Sequence, residues 1–569
     1  MLDREAARND VTLSAPWALI EAFANQPREK PQDANAGADM IVQALENLGV
    51  PVRVYEPEIY MSLPISASVT AGDRTFAAKP PAFCASVPEG VTGELIFMED
   101  ASGGTPLDRN PAALDALKAA AGKIAVIEGF ALPNFIAGLE AAGAIAVIAV
   151  NPGQRIHWGT VNTVWGTPEP EDLRNLPKIP SAAVNRPDGA ALIALAREGG
   201  TATVRTTLET GWHAQKLPVA EIPGSGETDD FVLVHGHYDS WQEGVGDNGT
   251  GNACMIELAN VLWRNRAALK RGVRLAWWPG HSAARYGGSA WFADEFGLEL
   301  DANCVAHLNC DSPGCRWATS YEAIACTSEA EQFVREVVQE VTGQTPVRKR
   351  PQRNSDYTFN NIGITGAFNG SSMLPEEVRK EKGYYVVGGC GGNIAWHTED
   401  DTIEIADKDV LDTDIRLYLT AVLRLACDPV LPLDWRAAAM EYAETAASYR
   451  QAAAPWIDLA PVEAEIAALA TELDAFYAGV ESGAIAPDAA NAVIRGLARI
   501  LVPVNYVRGP RFTHDPALNV PPLPAIAAAQ SLPGMDAGLR GFALAQVLRG
   551  RNRVISALRA ATDLIATAG

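Results

Sequence analysis

Apolar residues recur at helical spacing near the start of the chain, and short apolar runs replace them further along. Residues 16–24 and 36–48 carry the helical pattern, with Pro16 at a first helical position, and residues 52–55 form a β-rich run. From about Arg74 the pattern changes to short strands, Pro/Gly-rich loops and one Ala-rich helix. The strands are predicted at residues 93–97, 123–127 and 145–149, and the helix at residues 135–142. A module of mixed α and β structure is therefore expected, ending near Leu208.

A second alternation of strands and helices begins at Asp230. A continuous apolar run at residues 231–234 predicts a buried strand, and residues 253–262 predict the helix after it. Further strands are predicted at residues 273–278, 305–308, 323–325 and 364–367. Because strands that alternate with helices usually lie parallel in one sheet, the expected fold class is α/β, with a mostly parallel sheet flanked by helices.

After Pro429 the strand pattern stops, and long amphipathic segments rich in Ala and Leu follow. Helices are predicted at residues 435–453, 461–480, 487–501 and 539–568, with a proline-rich interruption at residues 502–524. The end of the chain is therefore expected to form a separate helical domain.

Length and charge limit the classes of function. A chain of 569 residues is too long for one hydrophobic core, so several domains are expected. The net charge of -23 argues against a nucleic-acid partner, and no apolar stretch predicts a membrane span. The first residues lack the pattern of a secretory signal, and eight cysteines without CxxC spacing indicate neither disulfides nor a cysteine zinc site. A cytoplasmic protein is the expectation.

Metal-ligand side chains follow the ends of several predicted strands. His237 and Asp239 come directly after the strand at residues 231–234, Asp247 opens the next helix, Asp311 follows the strand near Val305, and His397 comes much later. Each alone has an ordinary explanation, since a lone aspartate before a helix is usually an N-cap. These ordinary explanations do not account for the residues as a group, because ligands of an open α/β sheet gather at the carboxyl ends of its strands. Imidazole and carboxylate groups there predict a divalent metal site.

The four motifs around these residues resemble those of the co-catalytic zinc exopeptidases, the superfamily of aminopeptidases, glutamate carboxypeptidase and the transferrin receptor. The resemblance implies that His237 and Asp311 bind a first metal, that Asp247 bridges two metals and that His397 binds the second. It also implies that Asp239 orients His237. Zinc is the expected metal, one or two ions per chain, with manganese and iron as alternatives.

The resemblance extends beyond the motifs. The module at about residues 74–208 resembles a protease-associated domain inserted into a catalytic domain of residues 1–73 and 209–430. The helical region, residues 431–569, resembles the dimerisation domain of glutamate carboxypeptidase and implies a homodimer. The inserted module is expected to cover the cleft and to restrict it to small substrates.

The resemblance breaks at the strand of residues 273–278. The superfamily has a Glu-Glu pair after this strand, the first as general base and the second as ligand of the second metal. Counting back from Gly288-Ser289, Ser282 and Ala283 occupy the two positions. Alanine binds no metal, and a serine hydroxyl is a poor base at neutral pH without an activating group.

Several interpretations of this break stay open. In the first, His281 replaces the base or the lost ligand, since imidazole with a pKa of about 6.5 suits both roles, although a structural loop histidine is an equally ordinary reading. In the second, one ion held by His237, Asp247 and Asp311 activates water by itself. In the third, the protein binds without catalysis, as the transferrin receptor does. A further interpretation is that Ala283 replaces a ligand in order to trap a substrate complex.

Substrate-binding candidates lie near these positions. Arg285 and Tyr286 suit a substrate carboxylate or carbonyl, although a structural arginine is the simpler reading, and the segment from Asn354 to Asp356 resembles the substrate loop of the superfamily. The predicted function is a metal-dependent hydrolase of amide bonds in small peptides or modified amino acids. Asp239, His281 and Ser282 are its catalytic candidates. The alternative is a receptor-like dimeric binding protein that keeps a residual metal site.

Overall fold

The computed structural model of the protein describes residues 4–99, 116–369 and 372–568; residues 100–115 of the expected inserted module lie outside them. The strands of the described residues are, in chain order, β1 Val52–Tyr55, β2 Glu58–Ala71, β3 Arg74–Ala78, β4 Val87–Phe97, β5 Ile124–Glu128, β6 Ala146–Val150, β7 Ser181–Val184, β8 Thr201–Ala214, β9 Leu217–Ile222, β10 Phe231–His237, β11 Gly272–Trp278, β12 Cys304–Asn309, β13 Ala323–Ala325, β14 Val347–Lys349 and β15 Thr365–Asn369.

Helices surround these strands. In chain order they are α1 Arg4–Asn9, α2 Ser14–Phe23, α3 Pro31–Asn47, α4 Pro133–Ala141, α5 Arg186–Arg197, α6 Thr250–Arg264, α7 Gly287–Glu295, α8 Gly297–Asn303, α9 Glu331–Thr342, α10 Glu376–Glu381, α11 Lys408–Cys427, α12 Trp435–Ala453, α13 Ala460–Glu481, α14 Pro487–Tyr506 and α15 Ala537–Ile565. None of the described helices is both long enough and apolar enough to cross a membrane.

One sheet of eight strands has the order β1-β9-β11-β10-β12-β15-β13-β14. Its centre is parallel, since β10 pairs in parallel with β11 and with β12, and β12 pairs in parallel with β15. All seven residues of β10 are buried, which explains the continuous apolar run that predicted this strand. Towards one edge, β9 pairs antiparallel with both β1 and β11, so the sheet is mixed and its centre matches the parallel expectation.

A second sheet of seven strands has the order β3-β2-β8-β4-β5-β6-β7. Strands β4 to β7 pair in parallel, whereas β2 and β8 form a long antiparallel pair in which Glu58 lies opposite Ala214 and Thr70 opposite Thr203. Neither long strand was predicted; β2 lies wholly before the expected module, and β8 continues beyond its expected end at residue 208. Whether this sheet folds as a separate domain stays a prediction.

The last helices, α12 to α15, lie close to where the amphipathic pattern predicted them. They share one buried cluster with the first sheet and the N-terminal helices, which contains Phe23, Val232, Trp435 and Leu558. Arg499 of α14 attaches these helices to the rim of the sheet. Its guanidinium donates to the backbone carbonyls of Leu300, Asp301, Gly363 and Cys304, at 2.6 to 3.1 Å.

Replacing Arg499 is expected to destabilise the protein. Arg499→Met leaves the carbonyls without their donor, and an unsatisfied buried acceptor costs about 1–3 kcal/mol, so a loss of about 2–4 kcal/mol in the free energy of unfolding is expected. The midpoint of unfolding in urea measures this loss of stability. Arg549→Met, at an exposed position of α15, is the matched control. Equal midpoints for the two variants would contradict the attachment role of Arg499.

Candidate metal centre

Three neighbouring strand ends bring the predicted ligands to one edge of the first sheet. His237, the last residue of β10, lies beside Trp278, the last residue of β11, and His235 lies opposite Asn309 at the end of β12. The side chain of Asn248 connects two of these ends, since its Nδ2 donates to the carbonyls of His237 at 3.2 Å and Cys310 at 2.9 Å. The loops after the strands therefore start from fixed positions.

Asp247 lies between the two predicted histidine ligands. Its Oδ1 is 3.0 Å from Nε2 of His237, and its Oδ2 is 3.0 Å from Nε2 of His397. On the other side, Oδ1 of Asp311 lies 3.8 Å from Nε2 of His237. The structure thus brings together all four residues that the sequence predicted as metal ligands, and the two oxygens of Asp247 face different histidines.

The other ring nitrogen of each histidine faces a backbone carbonyl. Nδ1 of His237 is 2.9 Å from the carbonyl oxygen of Asp239, and Nδ1 of His397 is 2.9 Å from that of Trp158. A carbonyl only accepts, so Nδ1 carries the proton in both rings. In the neutral form each Nε2 therefore points a lone pair at the Asp247 carboxylate, which is unfavourable unless a cation lies between them.

The charges at this cluster fit a divalent ion. Burial opposes protonation of His237, but Asp247 and Asp311 outweigh it and raise the pKa of His237 well above its usual value. Burial also opposes ionisation of Asp247, but the contacts with His237 and His397 hold its pKa well below the usual range. Nε2 of His237 is buried and lacks an aligned hydrogen-bond partner among the described residues. Imidazole nitrogens and carboxylate oxygens in this arrangement are a zinc-type donor set.

Asp239 acts differently from the expectation. Its carboxylate lies 3.8 Å from Nδ1 of His237 and instead accepts the backbone N–H of His281 with both oxygens, at 3.0 Å. The ring of His237 is oriented by the backbone carbonyl of Asp239, and the carboxylate holds the loop after β11. A group that the prediction left out, Asp401, accepts the N–H groups of Gly246 at 2.6 Å and Asp247 at 3.0 Å.

His281 lies against the cluster. Its ring stacks on His237 with centroids 3.9 Å apart, and its Nδ1 is 2.6 Å from Oδ2 of Asp356. Candidate ligand atoms of His237, His281 and Asp311 lie within 4.8 Å of one another. His281 therefore adjoins the side of the centre that the resemblance assigns to the first metal.

Asp356 is buried and tightly held. Burial opposes its ionisation, but the contact with His281 outweighs it and lowers the pKa of Asp356. Its Oδ1 also accepts the hydroxyl of Ser289 at 2.6 Å. Of the predicted substrate residues, Asp356 is thus placed beside the centre by two side-chain contacts.

The remaining substrate candidates differ in their surroundings. Nη1 of Arg285 donates to the hydroxyl of Tyr286 at 3.0 Å, and the ring of Tyr286 packs on Trp165 with centroids 4.1 Å apart. Both are buried. Asn354 is exposed and donates to Gln352, and no contact among the described residues joins its side chain to the cluster.

The second sheet contributes directly to the centre. The loop before its strand β7 carries Trp158, whose N–H and carbonyl both bond to His397, at 2.9 Å each. Arg155 of the same loop forms a bidentate pair with Asp400 at 2.8 Å, and Lys79 pairs with Glu399 at 2.8 Å. The position of His397 therefore depends on the loop of residues 151–165 of that sheet.

A narrow pocket of about 10 Å³ adjoins the predicted ligands. It is lined by Glu29, His237, Asp239, Ser240, Trp241, Asp247, Ser282, Ala283 and His397. Ser282 and Ala283 thus line the same pocket as His237, Asp247 and His397, and their assignment to the two glutamate positions stays a prediction. Glu29 was not predicted, because it lies in a polar connection between α2 and α3 that carries no recognisable motif.

Comparison with known proteins agrees with this geometry. The sequence model of peptidase family M28 matches residues 219–422. Aminopeptidase YwaD of Bacillus subtilis is 26% identical over 445 residues, which cover 72% of this chain and 88% of that protein. Carboxypeptidase Q of Bos taurus is 31% identical over 131 residues, 21% of this chain and 27% of that protein. Residues 219–422 are thus related to peptidase family M28.

Solved structures support the fold. A zinc aminopeptidase from Bacillus subtilis superposes with a TM-score of 0.55 at 20% identity, over 74% of this chain and 96% of that chain. An aminopeptidase from Aneurinibacillus sp. strain AM-1 gives a TM-score of 0.54 at 18% identity, with the same coverage. The mixed α/β fold is therefore that of zinc aminopeptidase structures.

Removing the carboxylate between the histidines is expected to abolish tight metal binding. Asp247→Asn should lower zinc affinity by more than about 100-fold, the upper end of the effect of residues that only support a ligand. Isothermal titration calorimetry of chelator-treated protein with zinc measures this affinity. Asp188→Asn, on α5, is the matched control. Unchanged affinity in Asp247→Asn would contradict the assignment of this centre.

Proposed function

We propose that the protein is a metal-dependent hydrolase of amide bonds in small peptides or modified amino acids. The observation that carries the proposal is the Asp247 carboxylate, placed 3.0 Å from the Nε2 atoms of two histidines whose tautomers are set by backbone carbonyls. The relation of residues 219–422 to peptidase family M28 supports the reaction class. The names of the aminopeptidase relatives support removal of residues from a chain end.

The residues of the centre have defined parts in this proposal. His237, Asp247 and Asp311 hold a first ion, and His397 with Asp247 faces a second position. Zinc is the proposed metal, with manganese or iron as alternatives. When bound, the ion polarises the substrate carbonyl and lowers the pKa of water from 15.7 to about 7. Backbone carbonyls accept from both Nδ1 atoms, so in the neutral rings Nε2 is the nitrogen left to face the ion.

The size and lining of the pocket limit the substrate. The space between its walls is about 10 Å³, far below the roughly 300–1,000 Å³ of ordinary ligand sites. Trp241 forms an apolar wall, and it stacks on Trp158 of the second sheet with centroids 5.3 Å apart. A space this narrow excludes bulky substrates, which supports small peptides or modified amino acids.

The base is non-standard in this proposal. Ser282 lines the pocket where the superfamily has its glutamate, but a serine hydroxyl is a poor proton acceptor without an activating base. The candidate from the sequence, His281, is stacked on His237 and bonded to Asp356. The reaction therefore requires a proton acceptor that does not come from the usual pair of positions.

A homodimer is part of the proposal. Helix α15 exposes three large apolar side chains, Leu539, Phe542 and Leu548, and Phe542 is 79% exposed. An exposed apolar surface on a terminal helix is typical of a protein–protein contact.

The alternative function, a receptor-like dimeric binding protein, is supported by Ala283, which cannot bind a metal where the superfamily has a ligand.

Turnover should depend on metal. Protein treated with a chelator is expected to lose hydrolysis of free-amine dipeptides and N-acyl amino acids, and added zinc should restore it, because the reaction needs the polarised carbonyl. Asp247→Asn should stay inactive after the same treatment. Elemental analysis of untreated protein separates one ion per chain from two.

The binding-protein alternative makes the opposite prediction. It would be supported if folded, zinc-loaded protein hydrolysed none of these substrates while still binding some of them.

A further inference from the structure

We infer that Glu29 supplies the proton-accepting carboxylate that the end of β11 lacks. The inference rests on the proposed hydrolase function and names its missing base. Glu29 comes from the connection between α2 and α3, more than 200 residues away in the sequence from the other residues that line the pocket. No motif assigns it a role.

The first argument is position. Glu29 lines the same pocket as Ser282 and Ala283, the two residues that stand where carboxylates are expected, and as the ligands Asp247 and His397. A carboxylate that enters this pocket from another wall is placed near the water and the amide that the reaction brings together.

The second argument is availability. Three carboxylates line the pocket among the described residues: Asp247 lies between the histidines, and Asp239 accepts the His281 N–H with both oxygens. Glu29 accepts one long bond, from the N–H of Gln242 to its Oε2 at 3.3 Å. Asp247 and Asp239 are therefore already engaged in contacts within the centre. Of the three carboxylates that line the pocket, Glu29 is the one left for proton transfer.

The third argument is rigidity. The N–H of Arg28 donates to the carbonyl of Gln242 at 3.1 Å, and the N–H of Ser240 donates to the carbonyl of Arg28 at 3.2 Å. The buried guanidinium of Arg28 adds bonds to the carbonyls of Tyr238 at 2.7 Å and Gly244 at 3.0 Å. The residue before Glu29 is thus bonded to the loop after β10, and a catalytic group must be held in this way to act efficiently.

His281 is less suited to the role. Its Nδ1 is bonded to Asp356 and its ring lies flat against His237, and it is not among the described residues that line the pocket. These contacts make His281 a support of the first-metal side of the centre.

The proton balance of the step is simple. The carboxylate of Glu29 takes a proton from water as the water oxygen forms a bond to the amide carbon. The carbon–nitrogen bond then breaks, and the protonated Glu29 gives the proton to the leaving amine nitrogen. An acid and an amine are released, and Glu29 is again a carboxylate.

The test compares Glu29→Gln with Glu21→Gln, an exposed glutamate of α2 that serves as the matched control. Glu29→Gln should lower kcat by about 100-fold or more, because a general base contributes 10²–10⁴-fold. Zinc content by elemental analysis and the zinc-induced shift in Tm should match the wild-type protein. Glu29→Asp, which keeps a carboxylate on a shorter side chain, should retain intermediate activity.

Several outcomes would overturn the inference while leaving the hydrolase intact. One is a kcat of Glu29→Gln within about threefold of wild type. Another is loss of bound zinc from Glu29→Gln, which would make Glu29 a ligand. A third is a large loss of kcat in His281→Gln, with its zinc retained, when Glu29→Gln shows no such loss. Absence of turnover in zinc-loaded wild-type protein would instead reject the hydrolase itself, and the inference with it.

Discussion

The buried guanidinium of Arg28 is the interaction on which the centre depends. It donates to the carbonyls of Tyr238 and Gly244 beyond the end of β10 and is fully buried. Burial lowers the pKa of Arg28 to about 10, which still leaves it charged at neutral pH, and Asp401, Asp239 and Asp247 oppose the shift. A buried charge is tolerated only where hydrogen bonds and opposite charges compensate it. Arg28 therefore also offsets the excess of carboxylates around the pocket.

The carboxylates explain why the centre attracts a cation. Burial, followed by repulsion from Asp247, raises the pKa of Asp401 to about 7, although the N–H groups of Gly246 and Asp247 lower it. With Asp239 and Asp311 close by, negative charge is concentrated in a small buried volume. Burial opposes protonation of His237, but Asp247 and Asp311 raise its pKa well above the usual value, so this ring also responds to the excess negative charge. A divalent ion held by His237, Asp247 and Asp311 would supply positive charge at the same place.

Local sequence patterns predicted those parts of the structure that depend on residues close together in the chain. The central strands, and the meeting of His237, Asp247, Asp311 and His397 at one edge of the sheet, followed from apolar runs and from residues at strand ends. The long strands β2 and β8 did not, because they are partly exposed, β2 contains Pro64, and they pair with residues about 140 positions apart. Asn354 stays a prediction as a substrate contact, since a motif fixes a loop but not the direction of an exposed side chain. Glu29 had no local signal, because its place depends on contacts of Arg28 with a distant loop.

The second sheet packs against the loop after β11, where a carboxylate was expected from the resemblance. Ala283 is 5% exposed and packs with Ile59 and Met61 of β2, and its carbonyl accepts the N–H of Ser62 at 2.7 Å. A glutamate at this position would bring a charged side chain against that apolar contact, at the cost of burying charge. The small residue therefore follows from the close packing of β2 on this loop. The proposed hydrolase therefore takes its carboxylate from another part of the chain, and Glu29 lines the same pocket as Ala283.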